Sequence, residues 1–140
     1  MRAHEGVGTP PQEVRRKMSK FVQIWTEDQR KKEIKANIRK IKQSLKSADP
    51  EILKINAQLI EEAATYAANL KEINALINRD GMVDYYQNGK DQWGTKKSVA
   101  AELKPKYTQT YQSLVKQLSG LLPSENETSA AAELMEFLGR

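Results

Sequence analysis

The chain contains no cysteine and one histidine, His4. Without thiols there are no disulfides and no thiolate zinc site. One histidine, in a head rich in glycine and proline, leaves no partner set for a histidine-based triad or a His-rich metal centre. Aromatic residues are few, at 6%, and no apolar run reaches the roughly 18 residues that a membrane helix needs. The opening MRAHEGVGTPPQEVRRK lacks the apolar stretch of a signal peptide, so the expectation is a cytosolic protein with no membrane contact. The scattered glycines precede no Gly-Lys-Ser/Thr, which leaves no phosphate-binding loop. Asp80, Asp84 and Asp91 do not have the spacing of a calcium loop, and the adjacent Glu61 and Glu62 point in two directions from a helix, as solvated residues do. These absences set the expectation of a non-catalytic binding protein without cofactor or metal.

What the chain does have is charge, unevenly placed. Residues 1–48 carry thirteen Lys/Arg against five Asp/Glu. Residues 49–120 balance at nine of each, and residues 121–140 carry one Arg against four Glu. A basic head, a neutral middle and an acidic tail suggest an anionic partner at one end and a different partner at the other. The domain reading follows: 1–20 a flexible basic segment, 21–123 a helical core that also oligomerises, and 124–140 an acidic tail with a short helix.

Residues 1–12 hold two glycines with Pro10 and Pro11 and little that is apolar, the composition of a disordered segment. Phe21, Ile24 and Trp25 then form a short apolar patch that requires a docking place. Thr26 reads as an N-cap, with Glu27 and Asp28 in the first turn and Gln29 at the capping-box position. The helix expected from there to about Lys46 buries Ile34, Ile38, Ile41 and Leu45, which fall within about 60° of one another. Lys31, Lys32, Lys35, Arg39, Lys42 and Lys46 all project within about 100° on one flank of that stripe. This flank is either an ordinary solvated face or a track for a phosphate backbone, since Lys and Arg supply affinity without reading sequence. Arg15, Arg16, Lys17 and Lys20 would extend the track.

Asp49-Pro50 marks a new start, because Asp caps well and Pro suits the first helical position. A single long helix is expected from Pro50 to about Asn78, ended by Gly81. Its seam is Ile52, Ile55, Leu59, Ala63, Tyr66, Leu70, Ile73 and Ile77, at alternating spacings of three and four. Ala57, Ala64, Ala68 and Ala75 lie on the opposite face. They reflect either plain helix propensity or the close approach of another helix. In the second case the seam closes an antiparallel hairpin with the first helix and the alanine face meets a neighbouring subunit, with Leu59, Tyr66 and Leu70 of the seam also expected to serve self-association.

Residues 82–98 are the least helical stretch, with the turn pair Asn88-Gly89 and a second glycine at 94. A short β-hairpin and an ordered loop both fit. Trp93, near Lys90, Lys96 and Lys97, reads either as an anchor for this loop or as a stacking group on a basic surface. Ser98 can cap a third helix expected over 99–122, with an apolar face of Leu103, Tyr107, Tyr111, Leu114, Leu118 and Leu121. Pro105 requires that helix to start late or to kink. In the tail, Leu134, Met135, Phe137 and Leu138 offer apolar surface among glutamates for a protein partner. The fold class is therefore all-α: an antiparallel long-helix hairpin plus a third helix, joined through a loop or β-hairpin.

The stretch DYYQNGKDQWGTKKS, followed by a helix ending LVKQLSGLLPSE, resembles the C-terminal half of small terminase subunits of tailed bacteriophages. The matching positions are Tyr86, Asn88, Gly89, Gly94, Ser98, Leu118, Leu121, Leu122 and Pro123, and the resemblance covers roughly residues 50–124. It departs at Val99, where that family often has Pro directly after the Ser, and the basic head does not align. The resemblance implies a non-enzymatic ring, of roughly eight to eleven subunits built from head-to-tail contacts. Such a ring binds double-stranded viral DNA in the cytoplasm of the infected host and recruits and regulates the large terminase subunit, which holds the ATPase and nuclease. The competing readings are a helical coiled-coil adaptor that binds no nucleic acid and a small dimeric DNA-binding regulator.

Overall fold

The computed structural model describes residues 24–123. The basic residues Arg15, Arg16, Lys17 and Lys20 and the tail residues Leu134, Met135, Phe137 and Leu138 lie outside the described residues. Within them the order is α1 (Glu27–Ser44), α2 (Pro50–Ile55), α3 (Ala57–Asp80), β1 (Val83–Gln87), β2 (Trp93–Lys97) and α4 (Val99–Ser119).

Each start follows its local chemistry. The Thr26 hydroxyl accepts from the Gln29 N–H at 3.2 Å while the Gln29 side chain accepts from the Thr26 N–H at 2.8 Å. This reciprocal pair satisfies two amides that the first turn leaves without helical partners. The Asp49 carboxylate accepts from the Glu51 N–H at 2.9 Å, with Pro50 in the first turn. The Ser98 hydroxyl accepts from the Ala101 N–H at 3.1 Å. Gly81, at φ 85°, ends α3 in a conformation that a Cβ would disfavour.

The long helix expected from residue 50 is two helices. It breaks at Asn56, whose side-chain amide donates to the Ile52 carbonyl at 2.9 Å. Asn offers the backbone an alternative partner, and here that bond closes the end of a six-residue turn. The break changes which apolar residues reach the core. Leu53 packs against it, whereas Ile52 and Ile55, the first two residues of the expected seam, are 39% and 80% exposed.

α3 is the central element, with α1 and α4 on either side. Asn37 and Arg30 of α1 hold Ala64 and Glu72 of α3, so α1 runs antiparallel to it. The Tyr66 and Tyr107 rings, 5.2 Å apart, join α3 to α4. The expected pairing is thereby exchanged. α1 lies against the alanine face, where Ala64 and Ala68 are 0% and 2% exposed within one chain. The seam residues Tyr66, Leu70 and Ile73 turn towards α4. Small side chains let α1 approach closely, so the close contact read from the alanines is made inside the chain and not to a neighbour at those two positions. Ala57 remains exposed.

The core fills the end where α1 and α4 finish and α3 begins: Ile41, Leu45, Ile60, Ala63, Tyr111 and Leu118 are all within 1% of complete burial. Leu122 and Leu121 close this end of the core. α4 starts at Val99 and runs through Pro105 without interruption, so the proline neither delays nor ends it. At the other end of α3 the chain forms an antiparallel hairpin in which Tyr86 pairs with Gly94 and Gln87 with Trp93. The loop is five residues, not the two-residue turn that Asn-Gly favours. Gly89 sits at φ 107°, and the Asn88 N–H donates to the Gln92 carbonyl at 2.8 Å. The all-helical expectation is thus met in broad class: the described residues are mostly helical, with one small two-stranded sheet among them.

Candidate nucleic-acid interface

α1 presents its cations because three separate contacts fix its rotation. Ile41 and Leu45 are fully buried, with Ile34 and Ile38 packed beside them. The buried Asn37 donates from Nδ2 to the Ala64 carbonyl at 3.0 Å. On the flank towards α3, Arg30 forms a two-point pair with Glu72 (2.9 and 2.8 Å), and Glu33 accepts from Lys71 at 3.1 Å. Hydrogen bonding to Glu72 raises the Arg30 guanidinium further above its ordinary range.

The opposite flank is left to solvent. Lys31, Lys32, Lys35, Arg39, Lys42 and Lys46 are all exposed, as expected from their spacing. Lys31 pairs with Glu27 one turn earlier at 3.2 Å, but both groups are open to water, so the pair neutralises little. From Lys32 onward the only acidic residue on α1 is Glu33, which is engaged by Lys71 on the other side. Lys32 to Lys42 is ten helical steps, a row of about 15 Å at 1.5 Å per residue, and Lys46 follows it. α1 itself ends at Ser44, two residues short of the expected limit. Lys46 lies in the turn that follows, with its N–H near the Gln43 carbonyl.

The hairpin carries a second, looser group. Lys90, Lys96 and Lys97 are exposed, and Lys96 stands opposite Asp84 in the register. Trp93 is half-buried at the start of β2, the position of an anchor more than of a free stacking surface. Tyr86 is 41% exposed and its ring lies over Gly94. The hairpin is at the far end of α3 from Lys46, so these lysines do not continue the α1 row there.

The residues expected to mediate self-association are mostly engaged within the chain. Ala64, Ala68 and Leu70 are buried, Leu59 and Tyr66 pack against the core, and Ala75 is half-buried. Sequence reading did not single out Val115 and Ser119, both buried on α4. Their signal was weak, because Ser119 is polar and only its hydroxyl bond to the Val115 carbonyl (3.0 Å) accounts for its burial. No cluster of metal-binding side chains occurs among the described residues, and no described helix is long and apolar enough to cross a membrane. No protein-family model matches the chain, and neither a curated protein nor a solved structure matches it.

Proposed function

We propose that the chain is a non-catalytic, DNA-binding, self-assembling helical protein of the small terminase kind. The observation that carries the DNA reading is the exposed cationic row on α1 and the turn after it, from Lys32 to Lys46, free of carboxylates on its own flank and fixed in rotation by Asn37, Ile41 and Leu45. Neutralising phosphates along such a row releases condensed counterions and binds duplex DNA without reading its sequence. A sequence-independent row of this sort suits a protein that multiplies weak contacts by repeating them around an assembly.

The family reading rests on the resemblance of residues 50–124, which implies recruitment and regulation of a large terminase subunit; the acidic tail, outside that stretch, offers a separate surface for a protein partner on the charge pattern alone. For assembly, exposed apolar residues sit at opposite ends of α3. Ile52 and Ile55 are at one end, and Met82, Val83 and Val99 at the other. Two different faces are what a head-to-tail contact requires. An assembly of roughly eight to eleven subunits in native mass spectrometry supports the ring; a monomer or dimer favours the dimeric regulator instead.

The direct test of the DNA role is charge reversal at Lys35→Glu, Arg39→Glu and Lys42→Glu together. These side chains are exposed, so the fold and the oligomer are expected to persist while duplex affinity in fluorescence anisotropy falls at least tenfold. Unchanged affinity would remove α1 from the interface, and no duplex binding by the unsubstituted protein would leave the adaptor reading in its place.

A further inference from the structure

Among the described residues, every exposed large apolar side chain lies towards one end of α3 or the other: Ile52 and Ile55 on α2, and the stretch from Met82 through the first two turns of α4. The two ends have opposite shapes. α2 is a six-residue helix with no buried residue, and Ile55 projects from it at 80% exposure with Ile52 beside it. The far end holds a groove of about 250 Å³ over the second half of α3. Ile73 and Leu76 form its floor, Leu103 and Tyr107 one wall, and Arg30 with Glu72 the other. Arg30 and Glu72 bind each other at 2.8 Å, so the unmet surface of the groove is its apolar part. Val99, one turn before Leu103 and 61% exposed, extends that part. The volume is below the roughly 300 Å³ at which small-molecule pockets begin, which favours protruding side chains as the occupant.

We propose that Ile55, with Ile52 beside it, docks in this groove of a second copy of the chain, in a head-to-tail contact. The proposal rests on the self-assembly reading above and names the two surfaces that carry it. Ile55 and Ile73 are eighteen residues apart along α2 and α3, about 27 Å at 1.5 Å per residue, so a chain cannot fill its own groove. The charges around the two surfaces are complementary. Helical spacing places Glu51 about 40° from Ile55, with Lys54 further round at about 100°. On α4, Lys106 lies about 60° from Leu103 on the side away from Tyr107, at the outer rim of the groove, with Glu102 further round at about 100°. Glu51 and Lys106 are both exposed, so the carboxylate beside the projection meets an ammonium at the rim. Such a rim pair adds little affinity but favours one orientation. Because projection and groove are different surfaces, each copy engages two neighbours, and the contacts continue until a ring closes.

Two single variants of the full-length chain test this. Ile55→Glu removes the projection and Leu103→Glu blocks the groove, and each should reduce the assembly to monomer in native mass spectrometry with helix content unchanged. Mixed in equal amounts, they restore one contact, between Ile55 of one variant and the intact groove of the other. The mixture should give a heterodimer and nothing larger. Cysteines at the rim leave the apolar contact in place, and the chain has none of its own. Under mild oxidation, Glu51→Cys with Lys106→Cys should link chains into a ladder at least tenfold faster than Glu51→Cys with Gln112→Cys, which puts the second thiol on the opposite face of α4. Equal rates would overturn the inference. So would a dimer formed as fast by Glu51→Cys alone, since that marks a two-fold contact. An assembly that survives both glutamate substitutions would overturn it while leaving self-assembly standing, whereas a monomeric unsubstituted protein would remove both.

Discussion

The Asn37 side chain donates its amide to the carbonyl oxygen of Ala64 at 3.0 Å, tying α1 to the alanine face of α3, while its own Oδ1 has no partner among the described residues. The bond selects which face of α3 receives α1, and with it the direction in which the α1 lysines point. A buried amide that satisfies only one of its two polar atoms contributes little net stability. Asn37→Leu is therefore expected to change stability by no more than about 1 kcal/mol in urea unfolding. Asn37→Asp places a carboxylate against a carbonyl and is expected to destabilise by about 3 kcal/mol. A well-tolerated Asp would contradict the packing described for α1.

Tyr111 is fully buried at the convergence of the three helices, and its hydroxyl has no partner among the described residues. Burial pushes its pKa up to about 12 from the ordinary phenol value of 10.0. The unfolded chain ionises this phenol from about pH 10 while the folded chain holds it neutral. The contribution is therefore fully present below pH 10 and is lost as pH rises towards 12. Tyr111→Phe should leave stability at pH 7 unchanged or raise it by up to about 1 kcal/mol. It should also flatten the decline above pH 10 by an amount on the order of 2–3 kcal/mol at its limit. Parallel wild-type and variant curves from pH 8 to 12 would show that the hydroxyl is not buried as described.

Gly94 has no room for a side chain, since a Cβ there would lie 2.8 Å from Cζ of Tyr86. Gly94→Val should release the hairpin, seen as lost amide protection over residues 83–97. The helical circular dichroism should stay nearly constant, because the strands pair mainly with each other. Combining it with Tyr86→Ala should restore part of the protection. Loss of the whole helical signal would show that the hairpin is an integral part of the core.

The parts of this fold that were legible in the sequence are those determined over a few residues. Thr26 with Gln29, Asp49 with Pro50, Gly81 and Ser98 each act on backbone groups one turn away, so their identity was enough to place them. The cationic flank of α1 was legible for a similar reason, since helical spacing alone decides which residues share a side. The break at Asn56 was not, because the seam continues through it and only the side-chain bond to Ile52 reveals the end of α2. Nor could periodicity assign partners to α3. Both its faces are apolar enough to bury, and the choice between them depends on α1 and α4 competing for the same helix.

The central claim is that the α1 row binds DNA phosphates, and the salt dependence of duplex binding tests it most directly. Five cations, Lys32, Lys35, Arg39, Lys42 and Lys46, predict that log Kobs falls with log salt at a slope no shallower than about −4 per subunit. The triple charge reversal should make that slope shallower by about 3. A protein that fails to retain duplex DNA at about 50 mM salt, or retains it with no salt dependence, would contradict the account.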